Sequence, residues 1–206
     1  MKRSRSSTAW LNEHVNDAFV QRAKAEGYRS RASYKLMEID AKDDLIRSGD
    51  TIVDLGAAPG GWSQVAARRL QGSGRVIALD LLEMAPMRGV TFLQGDFRDQ
   101  DILHALEELL AGDRPGLVLS DMSPNISGIP VCDQARVMHL AELGLDFARS
   151  WLQPNGAFLV KIFQGHGFNE FLHAMRQTFK TVASRKPDAS RDRSPEVYLL
   201  GKVLKT

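Results

Sequence analysis

Thr51-Ile52-Val53-Asp54-Leu55-Gly56-Ala57-Ala58-Pro59-Gly60-Gly61-Trp62 is the stretch whose reading decides the fold. The run Thr51 to Leu55 has the β-branched, apolar character of a strand, and it stops at a glycine cluster. Residues Ser63 to Leu70 then continue as a helix. In a strand, tight loop and helix of this kind, glycine lets the backbone take positive φ and approach a ligand. The first turn of the helix adds N–H groups that have no acceptor within the helix. The loop therefore reads as a ligand cradle. Its spacing departs from the dinucleotide fingerprint G-x-G-x-x-G: Gly56 and Gly60 remain, but Ala58 stands where the middle glycine would admit a pyrophosphate. Asp54 also places a carboxylate just before the loop, where a pyrophosphate would be repelled. S-adenosylmethionine carries a sulfonium and an ammonium group, so an acidic, glycine-lined pocket suits it better. Asp80, at the end of Arg75-Val76-Ile77-Ala78-Leu79-Asp80, is the expected ribose acceptor.

Outward from this unit, apolar strands alternate with helical stretches, which predicts a Rossmann-like α/β fold with a mostly parallel sheet and helices on both faces. Strands are predicted at 51–55, 75–80, 90–93, 116–120, 157–163, 180–185 and 196–203. Helices are predicted near 62–70, 99–110, 133–152 and 168–178. No helix separates the last two strands, so the C-terminal end should contain an antiparallel partner. Upstream, residues 8–26 read as an amphipathic helix ended by Gly27. A second helix follows over 30–39 with Ser30 as its N-cap. The 206 residues are expected to form one domain, with 1–40 as a helical, basic extension and 51–206 as the core.

The single cysteine, Cys132, excludes an internal disulfide and a cysteine-rich zinc site, and no metal is expected. No apolar run approaches the roughly 20 residues of a membrane helix, and no secretion signal is evident, so a cytoplasmic protein is expected. The net charge of +2 is unevenly distributed. Residues 1–35 hold eight Lys/Arg against three Asp/Glu, residues 185–206 hold six against three, and the body between them is acidic. Two basic ends suggest either solubilising tails or one phosphate-binding face.

In open α/β sheets ligands bind beyond the carboxyl ends of the strands. Polar residues stand at five such ends: Asp54, Asp80, Asp96 in Gln94-Gly95-Asp96, Asp121 after Leu117-Val118-Leu119-Ser120, and Lys161 within Phe158-Leu159-Val160-Lys161-Ile162-Phe163. Asp96 reads as a loop cap or as an acceptor for an adenine amino group. Lys161 is the most informative, because lysine is almost never fully buried without a partner. It must be paired or catalytic, and Asp121 on a neighbouring strand end is the expected partner. Lys35, one turn after Arg31, reads from its surroundings as an ordinary solvated lysine.

Taken together, these segments resemble the FtsJ-type RNA 2′-O-ribose methyltransferases over almost the whole chain. The resemblance is carried by Ser30-Arg31-Ala32 leading to Lys35, by Asp54 to Gln64, and by Gln94-Gly95-Asp96-Phe97-Arg98-Asp99. Ser120-Asp121-Met122 with Pro124-Asn125, Val160-Lys161 with Phe163-Gln164-Gly165, and Arg193-Ser194 with Glu196-Val197-Tyr198 extend it. The resemblance implies a Lys35, Asp121, Lys161 and Glu196 tetrad with Lys161 as proton acceptor. It also implies cofactor contacts at Gly60, Trp62, Asp80, Asp96 and Asp121, beside Asp54 and Gly56 from the loop reading. The implied substrate is a uridine of large-subunit ribosomal RNA in the peptidyl-transferase region, within the assembled subunit; separately from the resemblance, a monomer is expected. Whether Lys161 removes the proton or steers the hydroxyl oxygen as a cation stays open in the sequence. Ser123, His166 and Pro195 depart from the family pattern, all outside the tetrad.

Three other readings compete. Amino-group methyltransferases need a second proline and an aromatic where Asp121-Met122-Ser123-Pro124 has neither. Base-carbon methyltransferases need a cysteine nucleophile, and Cys132 reads better as a small apolar filler. An RNA-binding assembly factor with a silent site is opposed by the presence of all four tetrad side chains.

Overall fold

Alternation along the strands sorts their side chains onto two faces, and this sorting decides which helices cover each face. The structure is a computed structural model that describes residues 17–124, 127–191 and 194–205. The predicted helix segment 8–16, Asn125 and Arg193 lie outside the described residues. Seven strands form one sheet in the order β3-β2-β1-β4-β5-β7-β6. They are β1 (Thr51–Leu55), β2 (Arg75–Asp80), β3 (Val90–Gln94), β4 (Leu117–Ser120), β5 (Ala157–Phe163), β6 (Phe179–Arg185) and β7 (Glu196–Leu204). The first five pair in parallel, while β7 is antiparallel to both β5 and β6. This is the doubly wound order with one antiparallel strand inserted next to the last position. The helices are α1 (Ala18–Ala25), α2 (Ala32–Asp43), α3 (Gly61–Leu70), α4 (Gln100–Leu110), α5 (Pro130–Trp151) and α6 (Phe168–Thr178).

On one face Val53, Leu55, Ile77, Leu79, Val118, Phe158, Val160 and Ile162 pack with Leu106 of α4, Leu145 of α5 and Phe171 of α6. On the other face Ile52, Val76, Leu117, Leu119, Leu159 and Tyr198 meet Leu36 and Ile39 of α2 and Trp62, Val65 and Leu70 of α3. Each such buried side chain contributes roughly 1.5–3 kcal/mol, so the two layers hold the sheet firmly between them. The same alternation has a consequence for the polar residues. Asp54 follows Ile52 by two, Lys161 follows Leu159 by two and Glu196 precedes Tyr198 by two, so all three belong to the face covered by α2 and α3.

The helix starts differ from the sequence expectation in two places. Ser30 does not cap the second helix, which begins at Ala32 after Arg31 with no side-chain cap bond. The cap of this region belongs instead to Asp17, whose carboxylate accepts from the N–H groups of Phe19 and Val20 at the start of α1. The long helix α5 starts at Pro130, earlier than predicted. Proline suits a first helical turn because its missing N–H has no acceptor there anyway. No helix among the described residues is long and apolar enough to cross a membrane.

Candidate active site

The strand order reverses between β1 and β4, and the polar strand ends gather at this switch point. Gly56, at φ 78°, turns the chain out of β1, and a Cβ on it would stand 2.7 Å from the Met122 backbone. Its lack of a side chain therefore lets the two strand-end loops touch, and the Asp121 N–H donates to Leu55 O at 3.0 Å. Gly60, at φ 103°, starts α3 without a side-chain cap, so the amides of the first turn have no capping oxygen from the protein. At the next strand end the Asp80 carboxylate accepts from the N–H of Ala58 at 2.9 Å and of Leu82 at 2.8 Å. These bonds lock the acid against the glycine loop.

Asp54 lies beneath this loop and is fully buried. One oxygen accepts from the Ser63 hydroxyl at 2.6 Å, while the other has no partner. Burial pushes its carboxyl up to about 7, the Ser63 bond opposes this, and the charges of Asp121 and Asp80 add to the rise. Asp54 is thus no exposed wall of a pocket, as the loop reading suggested. Trp62 is also turned inward: its indole donates to Ala32 O at 2.8 Å and lies against the Tyr198 ring. A ligand at the loop would meet this residue through its backbone N–H. Asp96 is half-buried, and both of its oxygens accept from Arg98, which holds its carboxyl below the ordinary range.

The four tetrad side chains, far apart in the chain, come together on the α2/α3 side of the sheet. Lys161 Nζ donates to Asp121 O at 2.7 Å and lies 3.1 Å from Asp121 Oδ1. Lys35 Nζ donates to Glu196 Oε1 at 2.5 Å and to the Tyr198 hydroxyl at 3.2 Å. The Tyr198 hydroxyl in turn donates to Asp121 Oδ1 at 3.1 Å. The two Lys–carboxylate pairs are therefore one network joined through tyrosine. Burial, then the charges of Asp121 and Glu196, push the Tyr198 hydroxyl well above its ordinary range, so it stays a neutral donor. Burial alone would raise the Glu196 carboxyl, but Lys35 and the Ser190 hydroxyl at 2.8 Å outweigh it and hold it low.

One face of α2 assembles this network. Arg31, Lys35 and Glu38, spaced by four and three residues, share that face. Arg31 donates to Ala189 O at 2.5 Å and pairs with Asp17, while Glu38 accepts from the N–H groups of Asp188 and Ala189. The helix thus grips the segment that carries Ser190 and delivers Glu196. Sequence reasoning did not single out Tyr198 or Ser190. The signal for Tyr198 was its place two residues after Glu196 on one strand, which puts both on one face.

Lysine nitrogens and carboxylates on one sheet face, next to an uncapped helix N-terminus and a strand-end acid at the switch point, are features of a Rossmann-type group-transfer enzyme. A model of the family described as FtsJ-like methyltransferase matches residues 28–204. The chain is 63% identical over 205 residues to the ribosomal RNA large subunit methyltransferase E of Dechloromonas aromatica, with 100% of each chain covered. It is 56% identical to the protein of that name from Neisseria meningitidis serogroup B, with 97% of each covered. A crystal structure from Plasmodium falciparum, described as a ribosomal RNA methyltransferase, superposes with a TM-score of 0.76 at 28% identity, covering 86% of this chain and 98% of that one. The chain belongs to the FtsJ-like methyltransferase family.

Proposed function

We propose that this methyltransferase moves a methyl group from S-adenosylmethionine to the 2′-hydroxyl of a uridine in large-subunit ribosomal RNA, in the peptidyl-transferase region of the assembled subunit. The names of the full-length relatives support the substrate. The observation that carries the chemistry is the Lys161–Asp121 contact beside the glycine loop. The residues present fit the cofactor: uncapped amides at Gly61 and Trp62 suit a carboxylate, Asp80 a ribose, Asp96 an adenine amino group, and the acids Asp54, Asp80 and Asp121 a cationic centre. Gly56 and Gly60 shape the cradle. When bound, S-adenosylmethionine supplies an electrophilic methyl group on sulfonium. The Lys161 nitrogen donates to Asp121 O and lies 3.1 Å from Oδ1 of the same residue, which leaves a further direction of the nitrogen for the ribose hydroxyl. In that position Lys161, as the neutral amine, would take up the proton of the ribose hydroxyl, with Asp121 fixing the direction of its lone pair, and loss of the methyl group would leave the cofactor sulfur as a thioether. A positioned base of this kind contributes about 10²- to 10⁴-fold. Lys35, held by Glu196 and Tyr198, steers the same oxygen.

Two measurements test this reading. Incubating the protein with methyl-labelled S-adenosylmethionine and large subunits from a strain lacking the gene should place the label on one 2′-O-methylated uridine. RNA that stays unlabelled, with the protein still bound to it, would instead support a silent assembly factor.

The RNA is read as lying across the basic ends. The described parts of these ends do converge, since Arg31 reaches Ala189 O and Lys35 reaches Glu196. Several of their cations are already paired, however: Arg31 with Asp17, and Arg185 with Asp43. Residues 1–16, which hold Lys2, Arg3 and Arg5, should therefore supply much of the phosphate contact. Each phosphate contacted on single-stranded RNA contributes roughly −0.7 to the slope of log K against log salt. Removing residues 1–16 keeps the Asp17 cap and should make the slope less negative by about 0.7 for each lost contact, raising KM for RNA while sparing cofactor affinity. An unchanged slope and KM would reduce this end to a solubilising tail.

A further inference from the structure

The segment 81–89, which joins β2 to β3 beside the glycine loop, has neither helix nor strand. Among the described residues 81–89, Met84 alone is buried, packed with Ala57 and Ala78. Its other attachment comes from far away in the chain. Arg29 Nη1 donates to Ala85 O at 2.6 Å and to Pro59 O at 3.2 Å, and Nη2 donates to Pro86 O at 2.8 Å. One guanidinium thus ties the glycine loop to the 81–89 segment. The arm that carries it is fixed in turn to α3: the Arg29 N–H donates to Gln64 Oε1 at 2.9 Å, and Gln64 Nε2 donates to Gly27 O at 2.7 Å. A Cβ on Gly60 would stand 2.9 Å from both Arg29 Nη1 and Met84 Sδ, so fork and thioether touch the loop without a gap. No carboxylate among the described residues forms an ion pair with Arg29, and the hydrogen bonds of its guanidinium go to main-chain carbonyls.

We propose that Arg29 is a positioning residue for the cofactor: its fork straps segment 81–89 to the glycine loop and so sets the slot between Gly60 and Asp80–Leu82. The proposal rests on S-adenosylmethionine being the ligand of that loop. The physical ground is the shape of the side chain. A planar guanidinium holds several carbonyls in fixed directions, whereas a lysine ammonium is a point charge on a flexible stem. Without the fork, Met84 is left as the buried anchor of the segment, and local opening becomes easier. A ligand must then order the segment each time it binds, at a loss of affinity.

Arg29→Lys separates this role from a phosphate contact, because lysine keeps the charge and loses the fork. S-adenosylhomocysteine titrated by calorimetry into wild type and Arg29→Lys should show Kd raised about tenfold or more in the variant. Amide hydrogen exchange at 81–89 in the ligand-free protein should be faster, with KM for RNA and the melting temperature close to wild type. Unaltered affinity and exchange in Arg29→Lys, given normal wild-type binding, overturns the strap. So does an Arg29→Ala protein that loses only RNA affinity and is rescued by lysine. A wild type that does not bind the compound overturns the cofactor reading and this proposal with it, whereas unchanged exchange at 81–89 alone rejects only the strap.

Discussion

Replacing Lys161 by alanine should lower methyl transfer by at least about 10²-fold, while the affinity for S-adenosylhomocysteine stays within a small factor of wild type. The two effects separate because of where the nitrogen sits. Lys161 leaves a central strand on the α2/α3 face, and its contacts are Asp121 O and Oδ1, with none to Gly60, Asp80 or the first turn of α3. The side chain is nearly buried, at 8% exposure, so its removal also leaves a small void and an Asp121 carboxylate with only Tyr198 donating to it. Lys161→Met controls for that: it fills the same space without a nitrogen. Single-turnover rates and calorimetry on both variants decide the matter. If cofactor affinity falls in step with the rate in both, Lys161 is a structural counter-ion of Asp121. If Lys161→Met keeps the wild-type rate, the nitrogen has no part in the chemistry.

The second large effect concerns stability and pH. In the folded protein burial raises the Asp54 carboxyl from an ordinary 3.8 to about 7, so the native state binds this proton more tightly than the unfolded chain does. The sign follows from linkage: stability from the buried neutral acid is fully present below about pH 4 and is lost as the pH rises towards about 7. Three pH units correspond to a change on the order of 4 kcal/mol. Asp54→Asn has the same shape and no charge to bury, and its amide can donate to the Ser63 oxygen. Urea denaturation at pH 4, 6 and 8 should show wild type losing ground to the variant by that order as the pH rises, since other titrating groups cancel in the difference. Parallel curves for the two proteins would mean that Asp54 finds solvation or a counter-charge in the folded state. The result also bears on function, because a cation held above the loop would favour the ionised form. Saturating S-adenosylmethionine should therefore narrow the gap at pH 8.

Much of this architecture was legible in local pattern. The apolar run 51–55, the glycines at 56, 60 and 61 and the helix after them define strand, cradle and helix without reference to anything distant, because turn chemistry and periodicity act over a few residues. The alternation of the strands likewise determines that Asp54, Lys161 and Glu196 point to one side of the sheet. It also marks Lys161 as a cation in a strand that should be apolar, which demands a partner. The absence of a helix between 185 and 196 foretold the antiparallel end. The distribution of Lys/Arg and Asp/Glu along the chain showed that the net positive charge lies at the two ends, around an acidic body.

Tertiary structure decided the rest. Nothing within α2 distinguishes Lys35 from a solvated lysine; it becomes part of the site only because packing of Leu36 and Ile39 against the sheet turns the neighbouring strip of that helix towards β7, 161 residues later. The Tyr198 hydroxyl that joins the two Lys–carboxylate pairs depends on the register between β5 and β7, which sets Lys161 opposite Tyr198. Asp54 read from its place before the loop as part of an acidic pocket, and Trp62 was implied by the resemblance as a cofactor contact. The close seat of α3 on the sheet carries both inward, to Ser63 and Ala32. Arg29 carries no signal in its own neighbourhood, since the carbonyls that it ties belong to Pro59, Ala85 and Pro86. Periodicity tells a side chain which way to point from its own element. What it meets there depends on how separate elements pack, and that is set by the summed burial of many distant residues.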